Sequence, residues 1–317
     1  MARPLRWLRP DTVWFVTNRI HQRRLLLRGD DECNALVGLW LARALRRFPG
    51  VTLFGFVSMG NHLHVLAKDT GGDLSAFMHY LATNLAKAVN QLRDREGHVF
   101  DRRFSAEPVL DKEAELGRLL YLVTNPVSAG LVPESSAWPG VLLLAREGKE
   151  QAHTFRWWSR QRYENALRNA ARLGALGHEV LGVTVSPDDF WEEETVVVHP
   201  LEDLHEIGIE PERVIDRVRN RERAIHAERR GKPFLGAATV LRQDPRTRPK
   251  RSSRSPRPLC HASADLVRKT FRSLYRSFRR AFWSAAEALR AGELDVRFPS
   301  WSFPPWRPLV RVVEDTT

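Results

Sequence analysis

The stretch VTLFGFVSMGNHLHVLAK (51–68) constrains the fold more than any other part of the chain. Two runs rich in β-branched and aromatic residues meet at Gly60-Asn61, a turn pair, so the chain doubles back as an antiparallel hairpin. Side chains alternate across a strand, which sends His62, His64 and Leu66 to one face and Leu63, Val65 and Ala67 to the other. One face is apolar and made for a core. The other brings two imidazoles together, although an isolated HxH is more often a pair of hydrogen-bonded strand histidines.

The flanking segments show what packs on this hairpin. VWFVTNRI (13–20) reads as a strand, and ALVGLWLARALRRF (35–48) as a helix with Leu36, Leu39, Trp40 and Ala44 on one face, stopped by Pro49-Gly50. DLSAFMHYLATNLAKAVNQLRDREG (73–97) is a long amphipathic helix whose stripe runs from Leu74 through Phe77, Met78, Leu81 and Leu85 to Leu92. VFDRRFSAEPVL (99–110) returns as a strand. DKEAELGRLLYLVTNP (111–126) is a helix, capped by Asp111 and ended at Pro126. The order β-α-β-β-α-β-α predicts an α+β fold, a ferredoxin-like sandwich with an antiparallel sheet, helices on one face and the opposite face open to chemistry.

In the last of these helices, Tyr121 and Asn125 are four residues apart and share a face. Each alone has an ordinary explanation: tyrosine straddles core boundaries, and asparagine often precedes a helix-ending proline. With His62 and His64 they form a set.

Charge narrows the partners. The 317 residues carry 50 Lys and Arg against 38 Asp and Glu, a formal +12, which favours polyanions: nucleic acid first, an anionic membrane surface second. GHVFDRRF (97–104) places His98, Arg102 and Arg103 among Phe100 and Phe104, a mixture that suits phosphates and unpaired bases as well as an ordinary amphipathic strand. Two cysteines, Cys33 and Cys260, make neither a disulfide framework nor a CxxC metal site. VWFV is too short for a signal-peptide core, and the longest apolar run, ALVGLWLA, is far below membrane-spanning length. A soluble, cytoplasmic protein with no membrane partner is expected.

SMGNHLHVLAK, GHVFDRRFSAEPV and LLYLVTNPVSAGLV, in this order and spacing, resemble the three signatures of the single-tyrosine HUH transposases, in particular the REP-associated tyrosine transposases, over residues 10–140. The resemblance implies a metal-dependent HUH nuclease that cleaves and rejoins single-stranded hairpin DNA through a 5′-phosphotyrosine. It makes His62 and His64 the metal-binding pair, Asn125 the third metal ligand, Tyr121 the nucleophile and Mg²⁺ or Mn²⁺ the cofactor. A monomer or homodimer in a prokaryotic cytoplasm, associated with the nucleoid, is implied as well. The chain departs from the family pattern in its first strand, which lacks a Gly-Asn-Arg run, and at Ser128, where a basic residue is common. A retired, purely nucleic-acid-binding descendant would have lost a ligand or the nucleophile, and both remain. A two-histidine phosphoesterase needs a second HxT or HxS motif, and a relaxase commonly a paired YxxxY; neither stands out here.

Beyond the HUH domain (1–145) the resemblance ends. Residues 146–242 read as a charged, mainly helical extension, with Val214, Val218 and Ile225 seaming a helix over 211–233 whose charge points to solvent or DNA. An acidic loop or short strand covers 185–200. Proline, serine and arginine mark 243–260 as a disordered basic linker. In 261–317, a basic amphipathic helix (264–292) with a stripe of Leu266, Phe271, Leu274, Phe278, Phe282, Ala285 and Leu289 precedes a proline-aromatic tail. From Arg242 to Arg280 thirteen basic residues face two acidic ones, an excess close to that of the whole chain, so nucleic-acid contact is expected there.

Overall fold

The structure, a computed structural model, describes residues 4–175, 185–249, 258–293, 295–305 and 311–312. Its first part runs β1 (Thr12–Arg19), α1 (Asp31–Arg47), β2 (Val51–Ser58), β3 (His62–Asp69), α2 (Leu74–Leu92), β4 (Ser105–Val109), α3 (Lys112–Val123), α4 (Asn125–Ser128) and β5 (Leu142–Leu144). The strands form one antiparallel sheet in the order β4-β1-β3-β2-β5. The first four follow the ferredoxin-like order, and β5 extends the sheet beside β2.

Local chemistry fixes the elements. Gly60 turns the hairpin at φ +58°, a conformation that favours glycine. The Asp30 carboxylate caps α1 by accepting from the Cys33 amide, and the fully buried Asp69 at the end of β3 accepts from the Asp73 and Leu74 amides at the start of α2. Strand β3 and helix α2 are thus joined without a loose loop.

Both faces of the sheet are covered. Helices α1 and α2 pack through Val37, Leu41, Phe77, Met78, Leu81 and Leu85 onto Trp14, Val16, Leu63, Val65 and Ala67. The expectation of helices on one face holds for this pair. On the reverse, α3 sets Leu116, Leu119, Leu122 and Val123 against Val13, Phe15, Phe54 and Leu66. That face is therefore only partly open, because its strands carry enough apolar area to seat a third helix.

Two boundaries differ from expectation. The strand expected over 99–110 is confined to Ser105–Val109: Val99 and Asp101 bond instead to His21 and Arg19 at the end of β1, and a bend at Asp101–Arg103 interrupts the pairing. The last helix ends at Val123 and restarts at once as α4, with Pro126 in the first turn of the new segment, where its missing N–H costs nothing.

The chain beyond is mainly helical, as expected, and carries short strands as well. β6 (Gln151–Trp158) pairs with β7 (Trp191–Val198) in a two-stranded ribbon, followed across α5 (Arg160–Ala175) in sequence but seated on α1: Arg43 and Arg46 bind Glu192 and Glu194, and Val196 and Val198 enter the core. The Phe155 ring lies where a Cβ on Gly38 would be, so this close approach requires glycine in α1. The acidic segment expected as a loop or short strand forms β7, and its charges face arginines of α1. In α6 (Val214–Arg229) the seam of Val214, Val218 and Ile225 lies in the core beside α3, which corrects the solvent-facing assignment. A short α7 (Ala237–Arg242) follows. Residues 250–257 of the expected linker and 306–310 of the tail lie outside the described residues.

Helix α8 (Asp265–Arg290) buries Phe271, Tyr275, Phe278, Phe282, Ala285 and Leu289, whereas Leu266 and Leu274 are exposed. Trp7 stacks on Phe278 with ring centroids 4.9 Å apart, and the Tyr275 hydroxyl donates to the Leu5 carbonyl. The N-terminal segment and α8 thus close one side of the molecule together, with β8 (Arg297–Phe298) and β9 (Arg311–Val312) beyond it. Just before α8, the His261 amide donates to the Pro108 carbonyl and its own carbonyl accepts from Leu110, which lengthens the β4 edge. No helix among the described residues is long and apolar enough to cross a membrane.

Candidate active site

Period-two alternation puts His62 and His64 on the α3 face of β3, with ring centroids 4.7 Å apart and ring planes nearly perpendicular. Each imidazole is held through Nδ1. His64 Nδ1 is 2.9 Å from the hydroxyl of Thr17, its register partner on β1, and His62 Nδ1 donates to Asn61 Oδ1 at 2.6 Å. The opposite nitrogen is what remains to act: His64 Nε2 is buried with no hydrogen-bond partner.

Electrostatics keep both rings neutral. Burial, with Arg19 nearby, lowers His62 to about 3; burial, His62 and Arg19 lower His64 well below the usual histidine value. A neutral imidazole whose Nδ1 is tied to an oxygen and whose Nε2 is free is the form that ligates a metal.

Helix α3 brings the phenol to this pair. The Tyr121 ring meets His64 edge-on at 5.7 Å and Phe15 at 5.8 Å, while Phe15 stacks on His64 at 4.9 Å. Tyr121 is 41% exposed, so a substrate reaches it from solvent. One turn earlier, the Arg118 guanidinium lies 5.1 Å from the Tyr121 ring centre and 5.7 Å from that of Phe15. Burial lowers the Arg118 pKa, which Tyr121 and Glu107 partly offset. Four leucine and valine anchors hold α3 on the sheet, and Asp111 caps it by accepting from the Ala114 amide. Asn125, buried, opens α4 one turn beyond Tyr121.

The donor set fits a divalent cation through its chemistry: two neutral imidazoles, one with an orphaned Nε2, and a carboxamide one helical turn from the phenol. Among the described residues no group of three or more His, Cys, Asp and Glu side chains is disposed to hold a metal.

The residues expected to contact DNA lie on the segment just before β4. His98 lies on the loop before β4, its ring 6.3 Å from that of His21. Arg102 is exposed beside the Asp101 carboxylate at 3.8 Å, and the exposed Arg103 donates to the Pro4 carbonyl at 3.3 Å. Phe104 is buried, with the Arg6 guanidinium 3.9 Å over its ring, so it offers no face for a base. Its apolar area is claimed by the core once the strand gives way to a bend.

Thr17, Phe15, Arg118 and His261 belong to the site and escaped sequence reasoning. The His261 ring meets Phe15 at 5.7 Å, and its Nε2 is also buried without a partner. For Arg118 the spacing of three residues to Tyr121 was a usable signal. Nothing in the sequence marks His261, which lies 140 residues from Tyr121.

No protein-family model matches the chain, and no curated protein matches it. Among solved structures, one described as a REP-associated tyrosine transposase bound to a REP hairpin is similar at a TM-score of 0.39 and 20% sequence identity, over 44% of this chain and 81% of that one.

Proposed function

We propose that the protein is a transposase-like nuclease that cleaves and rejoins single-stranded, hairpin-forming DNA, with Tyr121 as its nucleophile. The observation that carries this reading is the contact of the Tyr121 ring with His64, an imidazole fixed through Nδ1 and unpartnered at Nε2. The sequence motifs that resemble the single-tyrosine HUH transposases support it further.

In this reading the phenolic oxygen of Tyr121 loses its proton and bonds to the scissile phosphorus as the bond to the 3′-oxygen breaks. The products are a 5′-phosphotyrosyl enzyme and a free 3′-hydroxyl, and reversal with another 3′-hydroxyl rejoins DNA without an external energy source. A free phenol, with a pKa near 10, is a weak nucleophile at neutral pH. His62, His64 and Asn125 would hold Mg²⁺ or Mn²⁺, which supplies Lewis acidity toward the phosphate oxygens. Arg118, beside the phenol, favours its anionic form and the charge on the phosphate. Thr17 and Asn61 keep the imidazoles oriented. The contact of Tyr121 with His64 of its own chain supports a reading in which one copy supplies the phenol and the imidazoles.

The test is covalent capture. Protein incubated with a hairpin oligonucleotide and Mn²⁺ gives a band that survives denaturing electrophoresis, and Tyr121→Phe abolishes it while DNA binding persists. An adduct that persists in Tyr121→Phe, or that forms equally in EDTA, refutes the proposal.

A further inference from the structure

We infer that one flank of α8 is a second nucleic-acid site, separate from Tyr121, that takes a single strand along its backbone. Lys269, Arg272, Arg276, Arg279 and Trp283 follow one another at spacings of three and four residues, which places them in one row beside the buried face of the helix. At a rise of about 1.5 Å per residue, neighbours in the row stand about 5 Å apart along the axis, and the row is about 21 Å long.

These five residues line a groove of about 570 Å³ closed on its other side by Pro4, Leu5 and Leu259. A smaller cavity that shares Pro4, Leu5, Leu259 and Tyr275 extends from it to Arg103 on the loop before β4.

Charge and exposure define the ligand. Lys269 pairs with Asp265 at 2.9 Å, but Arg272, Arg276 and Arg279 have no carboxylate partner among the described residues. Such a row of cations with apolar groups at its floor meets a polyanion that carries regularly spaced charge and flat apolar rings. Trp283, 44% exposed at the end of the row, offers a surface on which an unpaired base stacks. An anionic membrane fits less well. A helix that binds a membrane inserts its apolar face, and in α8 that face is committed to Trp7, Leu5, Val296 and Phe298.

The test uses the full chain, a fluorescent single-stranded oligonucleotide of mixed sequence without a hairpin, and anisotropy titrations across salt concentrations. Replacing Arg272, Arg276 and Arg279 together by alanine lowers the salt slope of log affinity by about two, since each phosphate contact on a single strand contributes about 0.7. Replacing all three by lysine keeps the slope. Trp283→Ala weakens binding roughly 5- to 150-fold, the range for one stacked base. These side chains project away from the buried face, so thermal unfolding of each variant matches the parent; a variant that unfolds early is replaced by the single changes Arg276→Ala and Trp283→Ala. An unchanged slope and affinity overturn the inference. So does a loss seen equally with poly-glutamate, or seen on anionic vesicles and not on DNA. The triple variant still forms the Tyr121 adduct at saturating hairpin DNA in low salt; if the parent forms no adduct yet loses slope on substitution, the α8 site stands and the nuclease proposal falls.

Discussion

Under α1 and α2 the central strands present Trp14, Val16, Leu63, Val65 and Ala67; on the reverse they present Phe15, Thr17, His62, His64 and Leu66 beside α3. The same two strands build both surfaces, and nearly every side chain on each is out of water. The first surface excludes solvent and buries one polar atom of Trp14. The second keeps polar atoms inside and satisfies them selectively, through Thr17 and Asn61 on the Nδ1 atoms, while His64 Nε2 is left bare. An orphaned buried polar atom costs about 1–3 kcal/mol. Trp14 Nε1 on the packing face is orphaned as well, so what separates the faces is the pair of imidazoles, each fixed through Nδ1, beside the Tyr121 phenol.

The largest effect expected from breaking this division is on the reactive face. Tyr121→Phe keeps the ring contacts with Phe15 and His64 and removes one oxygen, so the covalent adduct falls by roughly three orders of magnitude or more while the unfolding midpoint stays near that of the parent. Gel quantification beside calorimetry checks both halves. A stability loss comparable with that of a core truncation would mean that the phenol is structural.

The reciprocal change lies on the packing face. Phe77 is fully buried between α2 and the sheet, and Phe77→Ala costs about 3–5 kcal/mol. Denaturant titration measures that loss, and adduct formation per folded molecule is unchanged. A selective loss of adduct at full folding would erase the distinction between the faces.

A smaller effect tests how the reactive face is held. The Asp111 carboxylate accepts from the Ala114 amide at the start of α3 and also from the Ser263 amide and hydroxyl, at 2.8 and 2.7 Å, so one side chain ties the helix that carries Tyr121 to the segment before α8. Asp111→Ala costs about 1–2 kcal/mol as a lost cap and slows adduct formation at saturating DNA several-fold, without weakening DNA binding. Asp111→Asn, whose one carbonyl oxygen still accepts from the Ala114 amide while its NH₂ cannot accept from the Ser263 amide, restores part of the rate. If the alanine variant loses stability with no change in rate, the clamp serves the fold only.

The sequence exposed these features unequally, for physical reasons. His62 and His64 were legible because strand alternation is set by covalent geometry and needs no knowledge of neighbours. The Tyr121–Asn125 spacing was legible for the same reason, one turn of helix. The order β4-β1-β3-β2 followed from an element pattern with few compact solutions. Residues whose meaning depends on distant packing were not legible. Leu266 and Leu274 fit the periodicity of α8 but face solvent, because Leu5 and Trp7 cover only part of that helix, and Tyr275 takes a buried place that periodicity did not assign. Glu192 and Glu194 lay in an expected loop or short strand, with nothing in the sequence to set Arg43 and Arg46 of α1 opposite them. Thr17 became a site residue only through its register with His64, which pairs segments 47 residues apart.

A pH dependence of stability belongs to the rim of the reactive face. Burial, with Arg118 nearby, lowers His261 to about 4, against about 6.5 for a free histidine. Between those values the unfolded chain holds a proton at this residue that the folded chain does not, so stability falls as pH drops from about 6.5 toward 4 and levels off below the folded value. The cause is geometric: the ring lies against Phe15, and its Nε2 has no acceptor. His261→Phe keeps the ring and removes the titration. Its stability, measured by denaturant unfolding at pH 7.5 and 4.5, changes less with pH than the parent's by up to one proton's linkage, while the contributions of His62 and His64 remain in both proteins and cancel in the comparison. Identical pH profiles would show that His261 is solvated in solution, and that the segment before α8 does not seal this edge of the site.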